Sequence, residues 1–133
     1  MNPMEEFKKT FSKEYTIQGH KFLLRSLSTK ESNEVEREIA KKSISLNDDS
    51  IFSTRKIETL ASALVSVDGQ LLKQFENIQI EISKGGNERD LIRQEIESWD
   101  DGFTSLLFLY YLDMLKQKDV KYEKETKYLN MSN

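Results

Sequence analysis

Along most of this chain the apolar positions fall in thin, regularly spaced stripes, and at one place they run together without a break. Met4, Phe7 and Phe11 recur at helical spacing inside an N-terminal arm, 1–14, which reads either as a short amphipathic helix or as a simple exposed arm. Tyr15, Thr16 and Ile17 favour a strand, Gln18-Gly19-His20 supplies a turn, and 22–27 reads as the returning strand. A lone two-stranded hairpin is marginal in water, so this one must lean on helices or on a neighbour's sheet. Ser28 followed three residues later by Glu31 has the spacing of a capping box. The helix it opens carries its acids early, its lysines late (Lys41, Lys42), and a narrow stripe of Val35, Ile39, Ala40 and Ile44.

A polar break at 45–50 leads to a helix predicted over 53–65. Its core face is Ile57, Leu60, Ala61 and Leu64, and it ends at an Asp68-Gly69 turn. The segment 71–82 is ambiguous. Leu71, Phe75, Ile78 and Ile82 fit a helix, whereas Ile78, Ile80 and Ile82 alternate as in a strand. A helix closed by Gly85 is the preferred reading, with Gly85-Gly86 as a helix–helix turn or a hinge. Asn87, three residues before Asp90, caps a further helix with Ile92, Ile96 and Trp99 along its packed edge. Asp100-Asp101-Gly102 reads as a turn or kink before the final helix, 103–118, and 119–133 as a polar tail.

That last helix holds the unbroken run: 106–112 is apolar or aromatic at every position, which covers all faces of a helix. The run is far too short for a bilayer, which needs about 20 apolar residues. A helix of this kind is either the central helix of the domain or a core helix with a face left over for a partner. The expected fold is therefore mainly α, of the α+β class. It has a short N-terminal β-hairpin followed by a compact bundle of about four to five helices over 15–118.

Composition removes several classes of function. With 133 residues the chain suits one core. It has no cysteine, hence no disulfide and no thiolate ligand or nucleophile. The 20 Lys+Arg and 23 Asp+Glu are interspersed and nearly cancel, unlike the basic face of a nucleic-acid binder or of a protein that sits on anionic lipid. No partner of either kind is expected. No signal peptide is visible at the N-terminus.

His20 is the single histidine and lies in a turn, where a solvated side chain is a better reading than a general base. No nucleophile elbow or phosphate loop is present. Asp48-Asp49 and Asp100-Asp101 lack the alternating ligands of a calcium loop and read as helix caps. Lys116, Lys118, Lys121, Lys124 and Lys127 flank Tyr122 and Tyr128, but Asp119, Glu123 and Glu125 offset much of the charge. No catalytic, metal-binding or cofactor-binding residue is expected, and the chain reads as a non-enzyme that works by protein contacts. The expected interface residues are Phe22, Leu24, Arg25, Trp99, Phe103, Leu107, Tyr110, Tyr111 and Met114, because aromatic residues, Met and Arg are enriched at interface cores.

The order of these segments resembles small bacteriophage tail proteins. In 15–40 a hairpin with a basic residue leads through a Leu-x-Ser/Thr-x-x-Glu step into a charged helix, matched here by Arg25, Leu27, Ser28 and Glu31. The stretch "LASALVSVDGQLL" and the later "FTSLLFLYYLDML" are similar to the apolar helix with an Asp-Gly turn and to the closing helix of the same proteins. The resemblance covers tail assembly chaperones and small baseplate-hub proteins of long-tailed phages. It implies a structural or assembly protein whose partners are other tail or baseplate proteins, including the tape-measure protein, or further copies of itself. It also implies a place in the host cytoplasm during assembly and in the virion tail or baseplate. The Asp100-Asp101-Gly102 break, 71–82 and the lysine-rich tail have no counterpart in that plan. The competing reading is a small helical adaptor or regulatory module unrelated to phages.

Overall fold

A computed structural model of the chain describes residues 3–42 and 48–131, with side chains over 3–5, 7–42 and 50–119. Ile44 and positions 45–47 of the polar break lie outside the described residues, as do the side chains of Asp48, Asp49 and the lysines and tyrosines beyond 119. The fold is mixed α+β and mainly helical. A short helix α1 (Pro3–Lys8) precedes a hairpin of β1 (Ser12–Ile17) and β2 (His20–Arg25). Helices α2 (Thr29–Lys42) and α3 (Asp48–Ala63) follow, then a second hairpin, β3 (Leu64–Val67) and β4 (Gln70–Leu71). A 3-10 turn (Leu72–Gln74) leads into α4 (Glu76–Ser83), α5 (Glu88–Glu97) and α6 (Asp101–Met131).

The four strands form one antiparallel sheet in the order β1-β2-β3-β4. The first hairpin therefore finds its support within the chain. β3 pairs along β2, setting Phe22 opposite Val67 and, past an irregularity, Leu24 opposite Leu64. Both hairpin turns place two residues at positive φ: Gln18 and Gly19 in one, Asp68 and Gly69 in the other. This is the twist-matched geometry of two-residue hairpins, and it needs a second residue that tolerates the left-handed region.

Several local expectations are met in detail. Glu31 N donates to Ser28 Oγ (3.2 Å) and Ser28 N to Glu31 Oε1 (2.9 Å), completing the capping box. Asp90 N donates to the Asn87 side chain at 3.1 Å. Asp100 caps α6 by accepting from Phe103 N at 3.1 Å, so Asp100-Asp101-Gly102 is a helix start. The segment 71–82 divides: Leu71 ends a strand, and a helix begins at Glu76 and closes where Gly85 takes φ +94°.

Three expectations are corrected. The helix over 53–65 begins earlier, at Asp48, and stops at Ala63. Leu64–Val67 is a strand, because an alternating Leu-Val-Ser-Val before Asp-Gly is a hairpin signal that competes with the helical stripe. Residues 119–131 are not a separate tail: they continue α6.

The third correction concerns the middle of the molecule. The stretch enclosed on all sides is 56–63 of α3, not the apolar run of α6. Every residue from 56 to 63 is buried or half-buried, including Lys56, Glu58, Thr59 and Ser62. The sheet, α2, α5 and α6 pack around it. The core gathers Tyr15, Ile17, Phe22, Leu24 and Leu64 from the sheet, Leu60 and Ala63 from α3, and Leu107, Phe108, Tyr111 and Met114 from α6.

Candidate functional site

Two apolar surfaces and four polar clusters are the places where chemistry or binding would be sought. The first surface is the outer side of α6. Thr104, Leu107, Phe108, Tyr111 and Met114 point into the core, while Leu106, Leu109 and Leu112 are 37%, 61% and 38% exposed. Leu106, Leu109, Tyr110 and Asp113 border a shallow depression of about 360 Å³. Leu112 borders a second, of about 200 Å³, shared with Leu27, Val35, Phe108 and Tyr111. Tyr110 packs its ring on Tyr15 at 4.7 Å between centroids, and the Tyr15 hydroxyl donates to Asp113 at 3.2 Å. Burial, then the hydrogen bond to Asp113, push the Tyr15 hydroxyl up to about 12.

The second surface is a cleft of about 560 Å³ at the turn end of the sheet. Phe22, Phe75, Ile78, Trp99 and Phe103 give it apolar walls, with Gln18, His20, Glu95 and Asp100 also lining it. Phe103 holds the aromatic wall together, 5.5 Å from Phe22 and 6.0 Å from Trp99 between ring centroids. Trp99 Nε1 donates to Glu95 Oε1 at 3.2 Å, which fixes the indole against α5.

The polar clusters are all bound up in the fold. His20 Nδ1 lies 2.6 Å from Asp68 Oδ2, and Lys21 N donates to Asp68 Oδ1 at 2.8 Å, so the two hairpin turns are clamped side by side. The Asp68 carboxyl is held below its ordinary range by that backbone donor, and next by His20. The Arg25 guanidinium grips Glu31 through both nitrogens, one at 2.7 Å, and ties β2 to the start of α2. Those bonds, more than the donation from Ser28 N, pull Glu31 down to about 2. The buried Lys56 Nζ donates to Asp101 Oδ1 (2.7 Å), whose side chain is exposed at the start of α6, and to Ser105 Oγ (3.1 Å). The Glu58 carboxylate sits among Lys42, Arg89 and Arg93 at 3.5–3.6 Å. No group of three or more His, Asp or Glu placed to hold a metal ion occurs among the described residues.

The nine expected interface residues separate under this geometry. Leu24, Leu107 and Met114 are fully buried core residues, and Phe22 and Tyr111 are buried too, each reaching only the floor of a depression. Arg25 is occupied by Glu31. Phe22, Trp99 and Phe103 come together in the cleft, and Tyr110 lies beside the leucine row. Leu106, Leu109 and Leu112 were missed: periodicity cannot say which side of an all-apolar helix faces out. Phe75, Ile78 and Glu95 were missed too, since the cleft is assembled from distant segments and has no local signature. No protein-family model, no curated protein and no solved structure matches the chain.

Proposed function

We propose that this chain is a non-enzymatic structural or assembly protein of a bacteriophage tail or baseplate, and that it works through the outer face of α6. The observation that carries the reading is the row Leu106, Leu109 and Leu112: apolar side chains on a helix whose core contacts are already made by its other side. Exposed leucines in a row, beside apolar depressions, suit an amphipathic helix laid against them. The long helical tape-measure protein and the baseplate-hub proteins are the partners that the resemblance of 15–40 and 103–115 suggests. The polar clusters add support, since each carries a structural load: a turn clamp, a helix-start clamp and two buried charge sites. On this reading the protein acts in the host cytoplasm while tails are built, as a chaperone or as a hub component.

The test is co-expression with a phage tape-measure protein and with baseplate-hub proteins, followed by purification through a tag on this chain. The expected result is a stable complex with one of them that Leu109→Glu disrupts while circular dichroism stays unchanged. A complex indifferent to Leu109→Glu, or none with any tail protein, would refute the reading.

A further inference from the structure

The cleft at the turn end of the sheet joins an aromatic interior to a negative rim. The buried Phe22 reaches its floor, and Phe75, Trp99 and Phe103 line it above. The rings stand at angles to one another, Phe103 at 59° to Phe22 and at 63° to Trp99. Two carboxylates border the same space, the half-buried Glu95 and the exposed Asp100. The donors that reach them are neutral: Asn77 Nδ2 and the Trp99 indole for Glu95, the Phe103 backbone for Asp100. No Lys or Arg among the described residues lines the cleft. His20, the one lining side chain that can become positive, is held by Asp68. We propose that the cleft binds a small organic cation, an ammonium or guanidinium carried on an apolar body, with its charge beside Glu95 and Asp100 and its body among the rings.

Sign, ring chemistry and size select this ligand. An anion would meet two like charges, and a neutral apolar molecule would leave both acids with no ionic partner. A cation is attracted by the carboxylates and by the negative faces of aromatic rings, an indole above all. Glu95 links the two attractions. Its Oε1 accepts from Trp99 Nε1 at 3.2 Å, and an anion at the N–H edge raises the electron density over the indole face. Asn77 holds the other oxygen at 3.0 Å, and Asp100 is fixed as the cap of α6, so both acids are in position before any ligand arrives. The volume of about 560 Å³ falls within the roughly 300–1,000 Å³ of small-molecule sites. A single lysine or arginine side chain from a partner protein would leave much of it empty. The lining comes from the β1–β2 turn, β3, α4, α5 and the start of α6, which makes a recess and not a long groove for an extended chain. The site shares no residue with the leucine row of α6, so it stands apart from the partner proposed there.

The experiment titrates the full-length chain with three rigid probes of one shape: adamantylammonium, adamantanol and adamantanecarboxylate. Emission of Trp99, the sole tryptophan, is the reporter inside the cleft. The cation should move the emission saturably, the alcohol should bind about tenfold more weakly, and the carboxylate should not bind. Glu95→Gln keeps an acceptor for the indole and removes the charge, and should weaken the cation about tenfold. Asp100→Asn keeps a cap for α6 and, being exposed, should weaken it by less. Both variants should hold the alcohol as wild type does and keep the wild-type circular dichroism, and Leu109→Glu should bind the cation unchanged. Equal binding of cation and alcohol would overturn the proposal. So would a cation affinity indifferent to Glu95→Gln, or emission that no probe moves. A chain that takes an arginine-bearing peptide but not the small cation would also overturn it, since the cleft would then be a partner protein's docking site.

Discussion

Lys56 and Glu58 show how this molecule spends its charges. Their side chains are 3% exposed, on a helix whose apolar stripe gave no hint that the intervening positions would also be covered. Lys56 has Asp101 and Ser105 as acceptors. Removing the acid with Asp101→Ala leaves a buried ammonium with one neutral partner, and should cost about 2 kcal/mol in urea unfolding. Lys56→Met, which removes the charge and keeps the volume, should cost less. Glu58 is the shared anion for three cations from α2 and α5, so Glu58→Ala should cost roughly 3 kcal/mol by the same measurement. His20→Ala should leave both fold and partner binding in place, since the side chain clamps an exposed turn. These polar contacts were largely illegible in the sequence. Ser28 and Glu31, or Asn87 and Asp90, announce themselves by a spacing of three, whereas Lys56 and Asp101 meet across 45 residues.

Among the elements, capping chemistry and the hairpin of β1 and β2 could be read from the chain because they are local. The strand β3 was masked by a helical stripe, since Leu64 serves as the end of one pattern and the start of another. Hydropathy also misplaced the centre: it favours α6, yet the enclosed stretch is 56–63 of α3, because enclosure depends on which elements pack around a helix and not on how apolar it is. The surplus apolarity of α6 is what remains exposed. Changing Leu106 and Leu109 to Glu should therefore leave the unfolding midpoint within a few tenths of a kcal/mol of wild type, as surface substitutions do, with magnitudes about 0.5 kcal/mol or less. Leu107→Glu should prevent folding, since Leu107 has no exposed surface. The turn between α4 and α5 is equally constrained. A Cβ on Gly86 would lie 2.8 Å from Glu81 O and 2.9 Å from Leu91 Cδ1, so Gly86→Ala should lower stability by about 1–2 kcal/mol.

For the molecule as a whole, two groups set the expected pH limits. Glu31 is held down to about 2 in the folded state, below the ordinary carboxyl value of 4.5. Its contribution is present above about pH 4.5 and is lost as pH falls towards 2. Stability measured by denaturant at successive pH values should decline across that window, and Glu31→Gln should be weaker at neutral pH and flatter below it. Tyr15 is raised to about 12, so its contribution holds below pH 10 and disappears between pH 10 and 12; Tyr15→Phe should flatten the alkaline limb. Neither window reaches neutral pH. The central claim is that the outer leucines of α6 belong to a partner and not to the core. Its most direct measurement is co-purification of the Leu106→Glu/Leu109→Glu chain with the partner proposed for this face, with circular dichroism recorded on the same sample. A folded chain that has lost its partner is the predicted result, and an unfolded chain, or a folded one that binds as wild type does, would contradict it.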